Sequence, residues 1–144
     1  MATCPYGNGT KNLCSGNVNW SDAGQTIKVM LVTSSYTVAP DTHAVVSDVS
    51  AYRTTGTTDQ TLGTRTVDLD TVNHRMRLRC ASSVTFESVP AGQTVKGVAV
   101  YRDTGVTGTS WLVTWNEFPA TAGTNGSNIQ VNFDSDGVMR AAYQ

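Results

Sequence analysis

The chain has 144 residues, of which 15% are charged and 39% are hydrophobic, and its formal net charge is −1. A chain of this length can bury a core of its own and is expected to form one domain. The near-zero charge argues against a nucleic-acid-binding protein, and no apolar run is long enough to predict a membrane-spanning helix. The abundance of Thr, Ser, Gly and Val favours an all-β protein with short strands and many turns.

The N-terminal segment, residues 1–19, shows no hydrophobic period of two or of 3.6 residues and is rich in Gly and Asn. It lacks the basic and apolar regions of a cleaved secretory signal, so we expect synthesis in a cytoplasm. We interpret it as an irregular docking arm, followed by a single β-sandwich domain over residues 20–144. Its apolar side chains, Tyr6, Leu13 and Val18, are candidate partner contacts.

The three cysteines are Cys4, Cys14 and Cys80. An odd number without a secretory signal argues against a disulfide framework. A bridge between Cys4 and Cys14 stays open as an alternative, and a zinc site that adds Cys80 and His74 fits less well because the cysteine spacing is too wide. We expect Cys80 to be a small buried hydrophobe.

The segment Thr26–Thr33 (TIKVMLVT) predicts a strand that is apolar on both faces, as expected of a central strand. The following segment, Ser34–Leu62, predicts a short helix that begins at Asp41 or Thr42. Asp41, His43 and Asp48 could suggest a metal site, but capping and turn roles account for the two acids without one.

A hairpin is predicted over Thr64–Cys80, with its turn at Asp70–Asn73. Pairing Leu69 with His74 leaves two arginines without acidic partners. The resulting core face carries Val67, Leu69, Met76, Leu78 and Cys80. We interpret the arginines of the outer face either as a charged edge that blocks strand addition or as a patch that contacts an acidic partner. These candidate contacts are Arg75, Arg77 and Arg79.

Three further elements are predicted in the second half of the chain. Ser82–Ser88 is a short strand, and Val95–Phe118 is a hairpin of two central strands whose polar tip, Asp103–Thr109, contacts solvent or a partner. Asn128–Phe133 and Gly137–Tyr143 form a C-terminal hairpin around a tight turn at residues 134–137. The candidate contacts at the tip of the central hairpin are Asp103, Thr104 and Val106.

No catalytic, cofactor-binding or metal-binding motif is recognisable in the sequence, so we predict a protein that is not an enzyme and holds no cofactor. An alternative is a carbohydrate-binding module that stacks sugars on its tryptophans. The residues concerned are Trp20, Trp111 and Trp115.

Four ordered patches, IKVMLVTSSYT, DTHAVVSDVS, VAVYRDTG and FDSDGVMR, resemble a family of small structural proteins of tailed bacteriophages. The similarity covers residues from about Trp20 to Tyr143 and leaves out the N-terminal segment. The chain is also shorter than members of that family around Ser50–Gly63.

The resemblance implies a virion component, most simply a capsid decoration or cement protein that binds the major capsid protein. It further implies a homo-oligomer, expected to be a trimer. The near-zero net charge and the lack of a long apolar run separately predict that the protein binds neither nucleic acid nor membrane. A tail, fibre or baseplate module of the same virion is the alternative.

The residues predict an antiparallel β-sandwich or flattened barrel of about eight strands with one short helix.

Overall fold

The computed structural model describes residues 1–80, 83–134 and 136–143, which form ten strands and one α-helix. Ser82 and Ser135, which fall in a predicted strand and a predicted turn, lie outside the described residues. The elements are β1 (Ala2–Pro5), α1 (Gly7–Cys14), β2 (Thr26–Thr33), β3 (Gln60–Thr61), β4 (Arg65–Asp70), β5 (Arg75–Cys80), β6 (Val84–Phe86), β7 (Thr94–Asp103), β8 (Leu112–Gly123), β9 (Ile129–Val131) and β10 (Met139–Ala142).

The largest sheet has five antiparallel strands in the order β1-β8-β7-β2-β3. Its three central strands are the three segments whose apolar residues occupy both faces in the sequence. A three-stranded sheet, β10-β5-β4, and a two-stranded sheet, β6-β9, complete the fold. The all-β, sandwich-like class is confirmed, with ten strands where about eight were predicted.

Both faces of the five-stranded sheet are buried, each in a separate core. On one face, in the first core, Leu31 and Val98 pack with Leu78 and Phe86 from the two smaller sheets. On the other face, the second core is formed by Met30 and Trp115 together with side chains of the loop after β2 and of the N-terminal segment. The prediction that these strands are covered on both sides is confirmed.

The N-terminal segment differs from the irregular arm predicted for it. β1 pairs with β8, and the backbone N–H of Tyr6 donates to the carbonyl of Val113 at 3.1 Å. The Tyr6 hydroxyl lies 2.8 Å from that of Tyr36, and burial raises the pKa of both phenols. Tyr6 and Val18 are fully buried within the chain, so the prediction that they contact a partner is wrong.

The helix predicted near Asp41 is absent from the described residues of that segment, which contain two single 3-10 turns, Val46–Asp48 and Ser50–Tyr52. The carboxylate of Asp48 accepts the backbone N–H groups of Ala44 and Val45 at 2.8 and 3.0 Å, which is the capping role expected of it. These bonds stabilise the tight turns through which the loop after β2 packs against the second core.

The predicted C-terminal hairpin is also wrong. β9 pairs with β6, whereas β10 pairs with β5, so the two C-terminal strands belong to different sheets. Because β9 and β10 are close in the sequence, a hairpin between them is the simplest prediction. Each strand instead buries its apolar side chains by pairing with a strand more distant in the sequence. Val131 and Met139 both enter the first core this way.

Candidate functional site

The β4–β5 hairpin carries the surface features that point to a function. Its register pairs Asp68 with Arg77 and Leu69 with Met76, two residues away from the predicted register. The reason lies in the turn: His74 adopts a positive φ of 49°, and the Asp70 carboxylate accepts the backbone N–H and the side-chain amide of Asn73. The turn therefore ends at His74, and Arg75 begins the second strand.

The outer face of this hairpin is charged, and its charges are matched. Arg77 donates to Asp68 at 2.8 Å, and Arg79 lies 3.3 Å from the same carboxylate. Arg75 contacts Asp70 at 2.9 Å and also pairs with Asp136, which follows β9. The prediction that two arginines lack acidic partners is wrong, because the observed register brings each within reach of an acid.

The acids of this face titrate below their ordinary range. The side chains of Asn73 and Arg75 hold the pKa of the Asp70 carboxyl well below its usual value, and Arg77 lowers the pKa of Asp68. A carboxyl with a lowered folded-state pKa stabilises the fold above its unfolded pKa of about 4. That contribution is lost as the pH falls toward the lower, folded-state pKa.

Replacing Asp70 tests this contribution. We expect Asp70→Asn to unfold at a lower temperature than the wild type at pH 7, with the difference narrowing as the pH falls below about 4. Thermal unfolding temperatures at pH 7 and at a pH below about 4 measure this difference. Asp41→Asn, at an exposed position, is the control and should match the wild type at each pH. An equal difference at both pH values would show that the ionised carboxylate is not the cause.

The inner face of the hairpin is apolar but only partly covered. Leu78 is buried in the first core, whereas Val67 is 47% exposed and Leu69 is 59% exposed. Their assignment to the core is wrong, because β4 is the edge strand of its sheet and neither side chain belongs to either core. Val72, in the turn, is 85% exposed.

A groove of about 310 Å³ is lined on its hairpin side by Val67, Met76 and Leu78. It separates the end of α1 from the hairpin. Leu13 is partly buried at its rim, and Trp20 is buried at its wall, where the indole N–H donates to the carbonyl of Arg79 at 2.9 Å. Leu13, Val67 and Met76 line the groove, and Leu69 pairs with Met76 on the same face of the hairpin. We define the apolar platform as these four partly exposed side chains.

The loop between β7 and β8 forms a separate exposed tip. The Asp103 carboxylate pairs with Lys28 and accepts the backbone N–H of Gly105 at 2.9 Å, so it shapes the loop. The backbone N–H of Thr104 donates to the hydroxyl of Ser110 at 3.0 Å. Val106 is 60% exposed at the tip. Of the three predicted contacts in this loop, Val106 offers the most apolar surface.

The tryptophans do not form a sugar-stacking surface. Trp20 and Trp115 are buried, and the Trp111 ring lies under the guanidinium of Arg102 at 5.3 Å. The three cysteines, all within the described residues, form no disulfide bond. Among the described residues there is no group of three or more His, Cys, Asp or Glu placed to hold a metal, and no helix is long and apolar enough to cross a membrane.

Comparison of the chain with protein-family models, with curated proteins and with solved structures finds no match. Sequence reasoning missed the apolar platform, whose members were assigned either to the core or to the arm. The alternation of β4 and β5 identified their apolar face. A period of two cannot reveal whether the same chain or another protein covers that face.

Proposed function

We propose that the protein is a structural component of a tailed-bacteriophage virion, a decoration protein that binds and stabilises the major capsid protein lattice as a homo-oligomer. The observation that carries an assembly role is the apolar platform, because contiguous exposed apolar side chains in a folded domain mark protein-interaction sites. The virion as the place of assembly comes from the resemblance of the four sequence patches. Two of them, IKVMLVT and VAVYRD, lie in the central strands β2 and β7.

A lattice-binding role suits the distribution of surface features. The exposed tip at Val106 and the apolar platform lie on different loops and strands, so one can contact the shell while the other joins copies of the protein. Weak contacts repeated over a lattice then give high total affinity, because linked copies bind with a high effective concentration. The tip of the β7–β8 loop is the surface that we assign to the shell.

The tip is tested by the charge substitution Val106→Asp. Desolvating a carboxylate against a protein surface is costly, so we expect binding to shells prepared from a phage lacking this gene to weaken at least about tenfold. Co-sedimentation with such shells measures the effect. Val72→Asp, the same change at another exposed valine, is the control and should bind normally. Equal binding by Val106→Asp and the wild type would remove the tip from the contact.

A further inference from the structure

We infer that the outer edge of β4 is a self-association surface, where a second copy of this chain adds its own β4 antiparallel about a two-fold axis at Val67. This inference names the partner of the β4 edge, and pairing there joins the apolar platforms of the two copies. It rests on the proposed function only for the requirement that the protein self-associates. A contact of this kind closes on a dimer, in place of the trimer that the resemblance implies.

The hydrogen-bond pattern shows which backbone groups face outward. The N–H of Tyr143 donates to the carbonyl of His74 at 2.8 Å, so the even-numbered residues of β5 face β10 and its odd-numbered residues face β4. The register then turns the N–H and C=O groups of Val67 and Leu69 away from β5. No described strand pairs with β4 along that side.

The charged residues of this edge are bonded within their own chain: Arg65 donates to backbone carbonyl groups, and Asp68 and Asp70 pair with arginines of β5. Natural edge strands are also protected by Lys, Pro or a β-bulge. β4 pairs with β5 over six residues without a register shift, and it contains no Lys or Pro. Two of the three residues whose backbone groups face outward are Val67 and Leu69, and their side chains are about half exposed. Their side chains and their backbone groups are therefore available to the same partner.

Charge and strand length together favour one register for two copies of β4, since an axis at Thr66 would pair only residues 65–67 of the strand. With the two-fold axis at Val67, each Asp68 lies opposite Thr66 of the second copy. An axis at Asp68 would place the two Asp68 carboxylates directly opposite each other, and an axis at Leu69 would place Asp68 opposite Asp70. Like charges directly opposite on neighbouring strands are destabilising. The sequence RTVDLD is thus self-complementary in the register centred on Val67.

The same register places apolar groups together. Leu69 of the second copy lies opposite Arg65, whose guanidinium already donates to four backbone carbonyl groups of its own chain. The guanidinium is therefore held against its own chain, so the aliphatic part of the Arg65 side chain is the part nearest that leucine. The two copies of Val67 are direct neighbours on the apolar face, so the contact continues the platform from one copy into the other.

Amide hydrogen exchange followed by NMR tests the inference on the purified full chain. At about 1 mM protein, where even weak dimers are populated, we expect a dimer by sedimentation and exchange of the Val67 and Leu69 amides slowed at least tenfold relative to dilute protein. The amides of Thr66 and Asp68 face β5 and should be protected at both concentrations. A monomer at 1 mM, a trimer, or a dimer with unchanged Val67 exchange would each overturn it.

The variant Val67→Pro separates edge pairing from folding. Its missing N–H faces outward, so the β4–β5 ladder is kept while strand addition is blocked. We expect a folded monomer, and Val67→Thr, which keeps the N–H, should still form a dimer. A Val67→Pro dimer would contradict the inference, and the exchange experiment decides it if the variant fails to fold. Neither experiment involves a virion, so failure here leaves the proposed capsid role testable.

Discussion

Replacing Trp115 by alanine is expected to lower the free energy of unfolding by about 3–5 kcal/mol. The side chain is 2% exposed and contributes to the second core, where its ring meets that of Tyr36 with centroids 5.0 Å apart. Its indole also lies close against Gly97, where an added Cβ would be 2.8 Å from the ring. A cavity at this point would open beneath the loop and the N-terminal segment together.

Denaturant unfolding of Trp115→Ala measures this loss, and Trp111→Ala is the matched control in the same hairpin. Trp111 is only partly buried and stacks with Arg102, so its removal should cost clearly less. A loss of about 1 kcal/mol or less at Trp115, or a larger loss at Trp111, would contradict the two-core description of the sheet.

Replacing Gly9 by alanine is expected to destabilise the fold by about 2 kcal/mol, although alanine is the better helix former by about 1 kcal/mol. Helix α1 lies so close to β8 that a Cβ at Gly9 would be 2.7 Å from the Cα of Val113 and closer still to the carbonyl oxygen of Leu112. Both neighbours are backbone of a central strand, so the helix must move to make room.

The sign of the Gly9→Ala effect is therefore decisive. Helix propensity alone predicts stabilisation, whereas close packing on β8 predicts destabilisation, and chemical denaturation distinguishes the two. Gly63→Ala is the control, because a Cβ there meets nothing within 4 Å and the backbone has no positive φ. We expect it to change stability by less than about 0.5 kcal/mol. A stabilised Gly9→Ala protein would show that α1 does not pack tightly against the sheet.

The two-faced apolar patterns of Thr26–Thr33 and Val95–Phe118 were enough to predict the three central strands. Such a pattern requires cover on both sides, and the fold supplies it from within the chain. The helix α1 could not be predicted in the same way. Its sequence, GNGTKNLC, has weak helix propensity and two glycines, and it is helical because Gly9 permits contact with β8.

The apolar platform was hidden for a different physical reason. Alternation in β4 correctly grouped Val67 and Leu69 on one face with Leu78, but it carries no information about where the covering layers end. The two-residue error in register arose from the turn, which occupies residues 71–74 in place of the predicted Asp70–Asn73 and ends at His74 with its positive φ. The extent of cover over β4 depends on contacts distant in the chain, whereas the register depends on the local conformation of this turn.

The proposed function is tested most directly by cryo-electron microscopy of the phage virions to which that proposal assigns the protein. We expect density of this β-domain on the outer surface of the capsid shell, repeated over its lattice, with the loop around Val106 toward the major capsid protein. The same particles from a phage lacking the gene should show bare shells at those positions. Density for the domain on the tail or baseplate, with the shell bare in both preparations, would contradict a decoration role.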